Sequence, residues 1–150
     1  MAHTYTSCLI HAVFATAGRR PWLTDDVRDR LHAYIGGIGR DLGFVVRRVG
    51  GPDDHVHVLL ALTASVSIAK AMQTIKGSSS RWMHDTFTDM AAFAWQEGYG
   101  AFSIGVSQVD DTVAYIDRQL EHHRRMTFQD ELRAFLQRHG LQVSEHDHDL

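Results

Sequence analysis

Five residues, Gly50-Gly51-Pro52-Asp53-Asp54, separate two strand-like runs, Phe44 to Val49 and His55 to Leu62, and this short link constrains the fold more than any other stretch. Strands joined so closely pair antiparallel, as a hairpin. On the N-terminal side, residues 3–16 alternate polar and apolar, with Ile10, Ala12 and Phe14 on the more apolar face, so the period of two predicts a long first strand. Gly18-Arg19-Arg20-Pro21 breaks it, and Thr24 then caps a helix with the stripe Val27, Leu31, Tyr34, Ile35, Ile38 and Leu42. Gly36, Gly37 and Gly39 fall inside that helix, each costing about 1 kcal/mol relative to alanine, and close packing on a sheet would rationalise them.

After the hairpin, Ser67 opens a second helix carrying Ile68, Ala71, Met72, Ile75 and Trp82, with a loosening expected at Gly77-Ser78-Ser79-Ser80. Phe102 to Ser107 reads as a fourth strand. The order β-α-β-β-α-β predicts an α+β fold, the ferredoxin-like split-βαβ sandwich with a four-stranded antiparallel sheet. Extra C-terminal helices follow, one from Asp110 or Asp111 through Leu120 and one from Phe128 to His139, capped by Thr127 and stopped by Gly140. The whole chain, 1–150, is expected to form one domain with a frayed tail from Gln142.

Composition narrows the setting. Cys8 is the lone cysteine, which rules out an internal disulfide framework and fits a reducing cytoplasm; its place in the alternating strand predicts a small buried hydrophobe. There is no apolar run of membrane-spanning length and no charged signal-peptide start, so a cytosolic protein without a membrane partner is expected. A net charge of −3 argues against coating duplex nucleic acid by charge alone but permits a local basic groove.

His55-Val56-His57 carries the chemistry. Alternation along a strand points both imidazoles one way, with Val56, Val58 and Leu60 toward the core, and two imidazoles on one face form half of a divalent-metal site. The chain has eleven histidines, and His122-His123 and His146-Asp147-His148 cluster without obvious need. Spacing alone therefore leaves hydrogen-bonded or solvent-facing histidines as the other reading. Tyr115, Gln119 and His122 recur at i, i+4 and i+7, one helical face, while Val113, Ile116 and Leu120 take the opposing buried side. A tyrosine with its usual pKa of about 10 is a poor nucleophile unless a cation lies nearby. Tyr115 is thus either a nucleophile beside a metal ligand or a boundary tyrosine with its hydroxyl in water. Tyr99, in the flexible setting Gly98-Tyr99-Gly100, reads as structural or base-stacking.

Five blocks in register resemble the single-tyrosine transposases of the HUH nuclease superfamily, which include the IS200-like and REP-associated tyrosine transposases. They are His11-Ala12-Val13-Phe14-Ala15-Thr16 with Gly18-Arg19-Arg20-Pro21; Gly51 to Leu59; Lys76 to Trp82; Trp95 to Ser103; and Tyr115-Ile116 with Gln119 and Glu121-His122-His123-Arg124. The resemblance implies that His55, His57 and Gln119 hold Mg²⁺ or Mn²⁺ and that Tyr115 is the nucleophile. It implies transesterification on single-stranded DNA with hairpin ends, through a 5′-phosphotyrosine linkage that leaves a free 3′-hydroxyl. Imidazole ligands favour Mn²⁺ over Mg²⁺. No small-molecule cofactor is implied.

Arg19, Arg20, Lys76, Ser78, Ser79, Arg81 and Arg124 are the candidate DNA contacts, and Trp22 or Trp95 could stack splayed bases. The resemblance also points to a homodimer, and strand 3–16 is long enough to pair across a two-fold axis; whether Tyr115 acts in its own protomer or the partner's stays open. The place of action is the cytoplasm of a bacterial or archaeal cell, at the nucleoid. Asp117 and Arg118 depart from the basic or amide residues common between tyrosine and glutamine in the family, and Ile104-Gly105-Val106 is looser than its usual strand. Two other readings compete: a non-catalytic nucleic-acid-binding module of the same fold, and a metal-dependent phosphoester hydrolase using water.

Overall fold

Strand β1 (Cys8–Ala15) runs through the middle of a four-stranded sheet, hydrogen-bonded on one side to β3 (His55–Leu62) and on the other to β4 (Gly100–Ile104). Strand β2 (Phe44–Gly50) closes the far edge, giving the order β2-β3-β1-β4 with every neighbour antiparallel. Helices α1 (Asp25–Gly36) and α2 (Ile68–Thr86) make the two crossovers, and α3 (Val109–Asp117), α4 (Gln119–His123) and α5 (Phe128–Arg138) follow the last strand. This is the expected α+β split-βαβ sandwich. The computed structural model describes residues 3–123 and 125–142, so Arg124 and the tail beyond Gln142 lie outside the described residues.

Period-two alternation gives the sheet two unlike faces. Ile10, Ala12 and Phe14 of β1 and Val56, Val58 and Leu60 of β3 face one way and pack with Leu31 and Ile35 of α1 and Met72 and Ile75 of α2. Side chains of this size each contribute roughly 1.5–3 kcal/mol on burial, so this layer dominates stability. The opposite face is covered as well: Val13, Ala15 and Phe102 meet Phe128, Leu132 and Phe135 of α5. That second roof turns a solvent-facing sheet surface into a buried site.

Several expectations are corrected. β1 begins at Cys8, not at residue 3, and Cys8 is exposed. Pairing with β4 starts only at Leu9, so Cys8 lacks a neighbour on that side. Because β1 is flanked on both edges, it cannot pair across a two-fold axis. Of the glycines after Tyr34, Gly36 is the last residue of α1, Gly37 caps it and Gly39 lies beyond it, so they end the helix rather than interrupt it. Gly39 adopts φ +99°, and a Cβ there would meet the Phe44 ring at 2.5 Å, so only glycine lets the chain turn beneath that ring. Leu42 is consequently exposed rather than part of the stripe. α2 runs unbroken through Gly77–Ser80, because the Ser79 hydroxyl is buried, donating to the Lys76 carbonyl and accepting from Trp95 Nε1. β4 begins at Gly100, and a short 3₁₀ turn, Val106–Gln108, replaces its expected end. No helix among the described residues is long and apolar enough to cross a membrane.

The α1 layer contains a pH-sensitive residue. Burial, and then the charge of Arg28, lower the His32 pKa from 6.5 to about 4, and its Nε2 is buried without a hydrogen-bond partner. The unfolded chain therefore binds a proton that the folded chain refuses between those two values. Stability is full above pH 6.5 and falls as pH drops toward 4. Thermal melts across that window should show a shallower loss for His32→Gln than for the parent chain.

Candidate active site

The hairpin turn delivers β3 to an inner position, and its odd-numbered residues face the second roof. His55 and His57 are both fully buried there, opposite Ala15 and Val13 of β1. Each ring is held through its Nδ1. Asp54 Oδ1 lies 2.8 Å from His55 Nδ1, and His11 Nε2 lies 2.8 Å from His57 Nδ1. His11 is the diagonal neighbour of His57 across the β1–β3 ladder. Burial, and next the adjoining His57, push the His11 pKa down to about 3. A neutral His11 accepts from His57 Nδ1–H, and Asp54 accepts from His55 Nδ1–H. That tautomer pair, reached once His55 gives up the extra proton that Asp54 and Glu131 favour, would turn both Nε2 lone pairs inward, the arrangement partner groups impose on metal-binding imidazoles.

Glu131 of α5 meets them. Its Oε1 lies 2.5 Å from His57 Nε2 and 3.7 Å from His55 Nε2, while Oε2 lies 3.5 Å from His122 Nε2. Ligand atoms of His55, His57 and Glu131 all fall within 4.8 Å of one another. Burial by itself would raise the Glu131 carboxyl, but the close approach of the two histidines outweighs it and holds the group well below the usual range. Glu131 Oε1, His57 Nε2, Gln119 Oε1 and His122 Nε2 are buried without an aligned hydrogen-bond partner. Buried polar atoms of this kind are costly unless something joins them, and a cation among the His55, His57 and Glu131 ligand atoms would do so. Two imidazoles, a carboxylate and an amide oxygen suit a divalent ion of the Mn²⁺ or Mg²⁺ type.

Tyr115 rides on α3 over the same point. Its ring is 5.6 Å from that of His57, 5.3 Å from that of His122 and 6.0 Å from that of His11, centroid to centroid. Burial, and then the negative charge of Glu131, raise its hydroxyl well above the ordinary tyrosine pKa. α3 comes this close because Gly50, opposite His57 in the β2–β3 ladder, has no side chain. A Cβ there would stand 2.6 Å from both Cγ2 and the carbonyl oxygen of Ile116. Gly50→Ala should therefore push α3 outward, costing about 1–3 kcal/mol and displacing Tyr115. Melting curves read the first effect and ultraviolet titration of the Tyr115 phenol the second.

The expected single helix is broken between Tyr115 and Gln119. Arg118 caps α3, and α4 restarts the phase, so Gln119 is buried and Leu120 is half exposed, the reverse of the expected stripe. Asp117 fixes the break with a two-pronged bond to Arg48 of β2, 2.8 Å to Nε and 2.5 Å to Nη2. Gln119 Nε2 reaches the Tyr115 carbonyl at 3.4 Å, which leaves its Oε1 free of hydrogen bonds.

His55, His57, Tyr115 and Gln119 are thus gathered by the fold. His11 and Glu131 join them without having been singled out. Both carried a signal: His11 stands out of phase with Ile10, Ala12 and Phe14, and Glu131 interrupts the apolar stripe Phe128, Leu132, Phe135 of an amphipathic helix. The candidate DNA contacts are dispersed. Arg19 and Arg20 follow the end of β1 at which Ala15 pairs with His55. Lys76, Ser78, Ser79 and Arg81 lie on α2, across the sheet from the site. Lys76 donates to the carbonyls of Gln96 and Gly98 at 2.7 Å each, and Ser79 is fully buried, so both are engaged internally. Arg81 is exposed. Trp95 packs edge-on against Phe14 and Phe93, a core role.

Comparison with known proteins identifies relatives of the chain. Residues 4–119 match the family described as "Transposase IS200 like". The transposases for insertion sequence element IS200 of Salmonella typhimurium and Salmonella typhi are each 26% identical over 131 residues, covering 83% of this chain and 84% of theirs. Among solved structures, a candidate transposase from Deinococcus radiodurans R1 superposes with a TM-score of 0.65 at 23% identity, over 80% of this chain and 96% of that one. A REP-associated tyrosine transposase bound to a REP hairpin superposes with a TM-score of 0.56 at 17% identity, over 77% of this chain and 68% of that one. With the family match spanning most of the chain and the fold shared by these structures, the protein belongs to the IS200-like transposases.

Proposed function

We propose that this transposase nicks and rejoins single-stranded DNA at hairpin ends with Tyr115 as nucleophile and a divalent metal held by His55, His57 and Glu131. Gln119 supplies a further donor through its free amide oxygen. One observation carries the reading: the hydroxyl-bearing helix and the metal-competent cluster meet on one buried sheet face of a single chain. The tyrosine oxygen attacks phosphorus as the phenol loses its proton, the P–O3′ bond breaks, and the upstream fragment leaves with a protonated 3′-hydroxyl while the downstream fragment stays on Tyr115 through its 5′-phosphate. Because the phosphodiester energy is kept in that linkage, a second 3′-hydroxyl reverses the step and joins a new strand without a nucleotide cofactor. A divalent ion in the cluster would polarise the scissile phosphate and offset the Glu131 charge that holds the phenol protonated. Asp54 and His11 keep the two imidazoles in the ligating tautomer, and α5 excludes water that would otherwise compete as nucleophile.

Assembly within one chain supports action in cis. A homodimer is then a separate property, read by sedimentation. Hairpin recognition is supported by the exposed arginines Arg20 and Arg81 and by the hairpin bound to the REP-associated relative. The reading places the protein at the nucleoid of a bacterial or archaeal cell.

The test is product-end analysis. Pooled single-stranded hairpin oligonucleotides are incubated with protein and Mn²⁺, and the cleaved strands are offered to a polymerase and to a 5′-kinase. A 3′ end that is extended, with a 5′ end blocked by protein, supports the reading. Two free ends would point to hydrolysis by water, and tight binding without cleavage of any hairpin in the pool to a binding module.

A further inference from the structure

Beside the nucleophile lies a cleft that the metal cluster leaves unused. β4, α3 and the end of α5 enclose a cavity of about 450 Å³ whose inner end is formed by Tyr115 and His11. That volume falls in the range of sites that take small organic ligands. One wall is aromatic. Phe102 stacks on Phe135 with 5.3 Å between centroids and on His139 with 4.9 Å, the planes within 17° and 28° of parallel. Arg118 and Arg138 also line the cleft; both are exposed, and neither forms an ion pair among the described residues. Arg138 lies over the Phe135 ring, 5.5 Å from its centroid, and its charge acts on the Tyr115 hydroxyl, opposing the upward push from burial. The helix break set by the Arg48–Asp117 pair carries Arg118 to this cleft. The polar side of the cleft includes the exposed carboxylate of Asp111.

We propose that this cleft binds the nucleotide flanking the scissile phosphodiester, its base against the Phe102–His139 wall and its phosphates on Arg118 and Arg138. The proposal rests on the reading of the chain as a single-strand DNA transposase. Guanidinium groups without carboxylate partners match a phosphodiester in charge and shape, and aromatic faces hold an unpaired base whatever its identity. Asp111 accepts hydrogen bonds only, which favours a base with an exocyclic amine, cytosine above thymine. In-line attack needs the phosphorus held against the tyrosine oxygen, and a flanking nucleotide seated here provides that hold.

The test contains no cleavage step. ¹⁵N-labelled Tyr115→Phe protein in chelator is titrated with deoxycytidine 5′-monophosphate and followed by amide chemical shifts. Shifts concentrated at Phe102, Arg118, Arg138 and His139 support the site. With Arg118→Gln or Arg138→Gln, exposed changes that leave the core intact, the affinity should fall about tenfold, and thymidine 5′-monophosphate should bind more weakly than the cytidine nucleotide. Shifts elsewhere, none at millimolar nucleotide, or equal affinity in the arginine variants would overturn the assignment. Equal competition by inorganic phosphate would overturn the base-binding part. Failure here leaves the tyrosine mechanism standing, whereas absence of a protein–DNA linkage in the wild-type protein would remove that mechanism and leave nucleotide binding in the cleft measurable.

Discussion

Tyr115→Phe is expected to abolish strand cleavage, lowering its rate by about 10⁴-fold or more, the scale of losing a catalytic nucleophile, while hairpin affinity stays within a factor of two to three. The substitution removes one oxygen and little packing, because the ring remains among His57, His122 and Phe135. Melting temperature should hardly move. A gel-shift titration beside a denaturing-gel cleavage assay separates the two effects, and loss of both binding and cleavage would mean that the ring is structural. The same oxygen gives a spectroscopic marker. In chelator, the phenol should ionise above the range of ordinary tyrosines, because burial and the Glu131 charge both oppose the phenolate. Ultraviolet titration of wild type minus Tyr115→Phe isolates that one group.

Glu131→Gln has the second large effect, of opposite sign with and without metal. In chelator, the change removes a buried negative charge, so the Tyr115 phenol should ionise at lower pH than in wild type. With Mn²⁺ at about a hundred times the wild-type dissociation constant, wild type should gain about 2.7 kcal/mol, or about 5–10 °C in a chain of this size. A variant that binds a hundredfold more weakly should gain only about 1 °C under the same conditions. Equal metal-induced shifts in the two proteins would exclude Glu131 as a ligand. Burial works against a charged His55, but Asp54 and Glu131 outweigh it and raise its pKa, so the wild-type metal response should weaken as pH falls through the neutral range and His55 takes up a proton.

The antiparallel sheet was legible because alternation has a period of two and the Gly50–Asp54 turn is short, whereas the register shift between Val46 and Arg48 was not. Val56, Val58 and Leu60 face the core as their spacing required, and His55 and His57 had to share the other face. The break at Arg118 was not legible. It depends on the Arg48–Asp117 pair, a contact across 69 positions that no local period records. Glu131 was hidden for the same reason, since its partners His55 and His57 lie more than seventy residues away and the packing of Phe128, Leu132 and Phe135 brings it over them. Cys8 and Leu42 were misplaced because periodicity assigns a face but not the point at which covering layers end.

The central claim is that Tyr115 becomes linked to DNA through phosphorus in a metal-dependent step. Its most direct test is mass spectrometry of the denaturant-resistant adduct formed with Mn²⁺ and a single-stranded hairpin, after digestion of both protein and DNA. The account predicts a nucleotide joined by its 5′-phosphate to the peptide containing Tyr115, absent when chelator replaces metal. Linkage at Tyr99 or another residue, or cleaved DNA with no linked peptide, would contradict it.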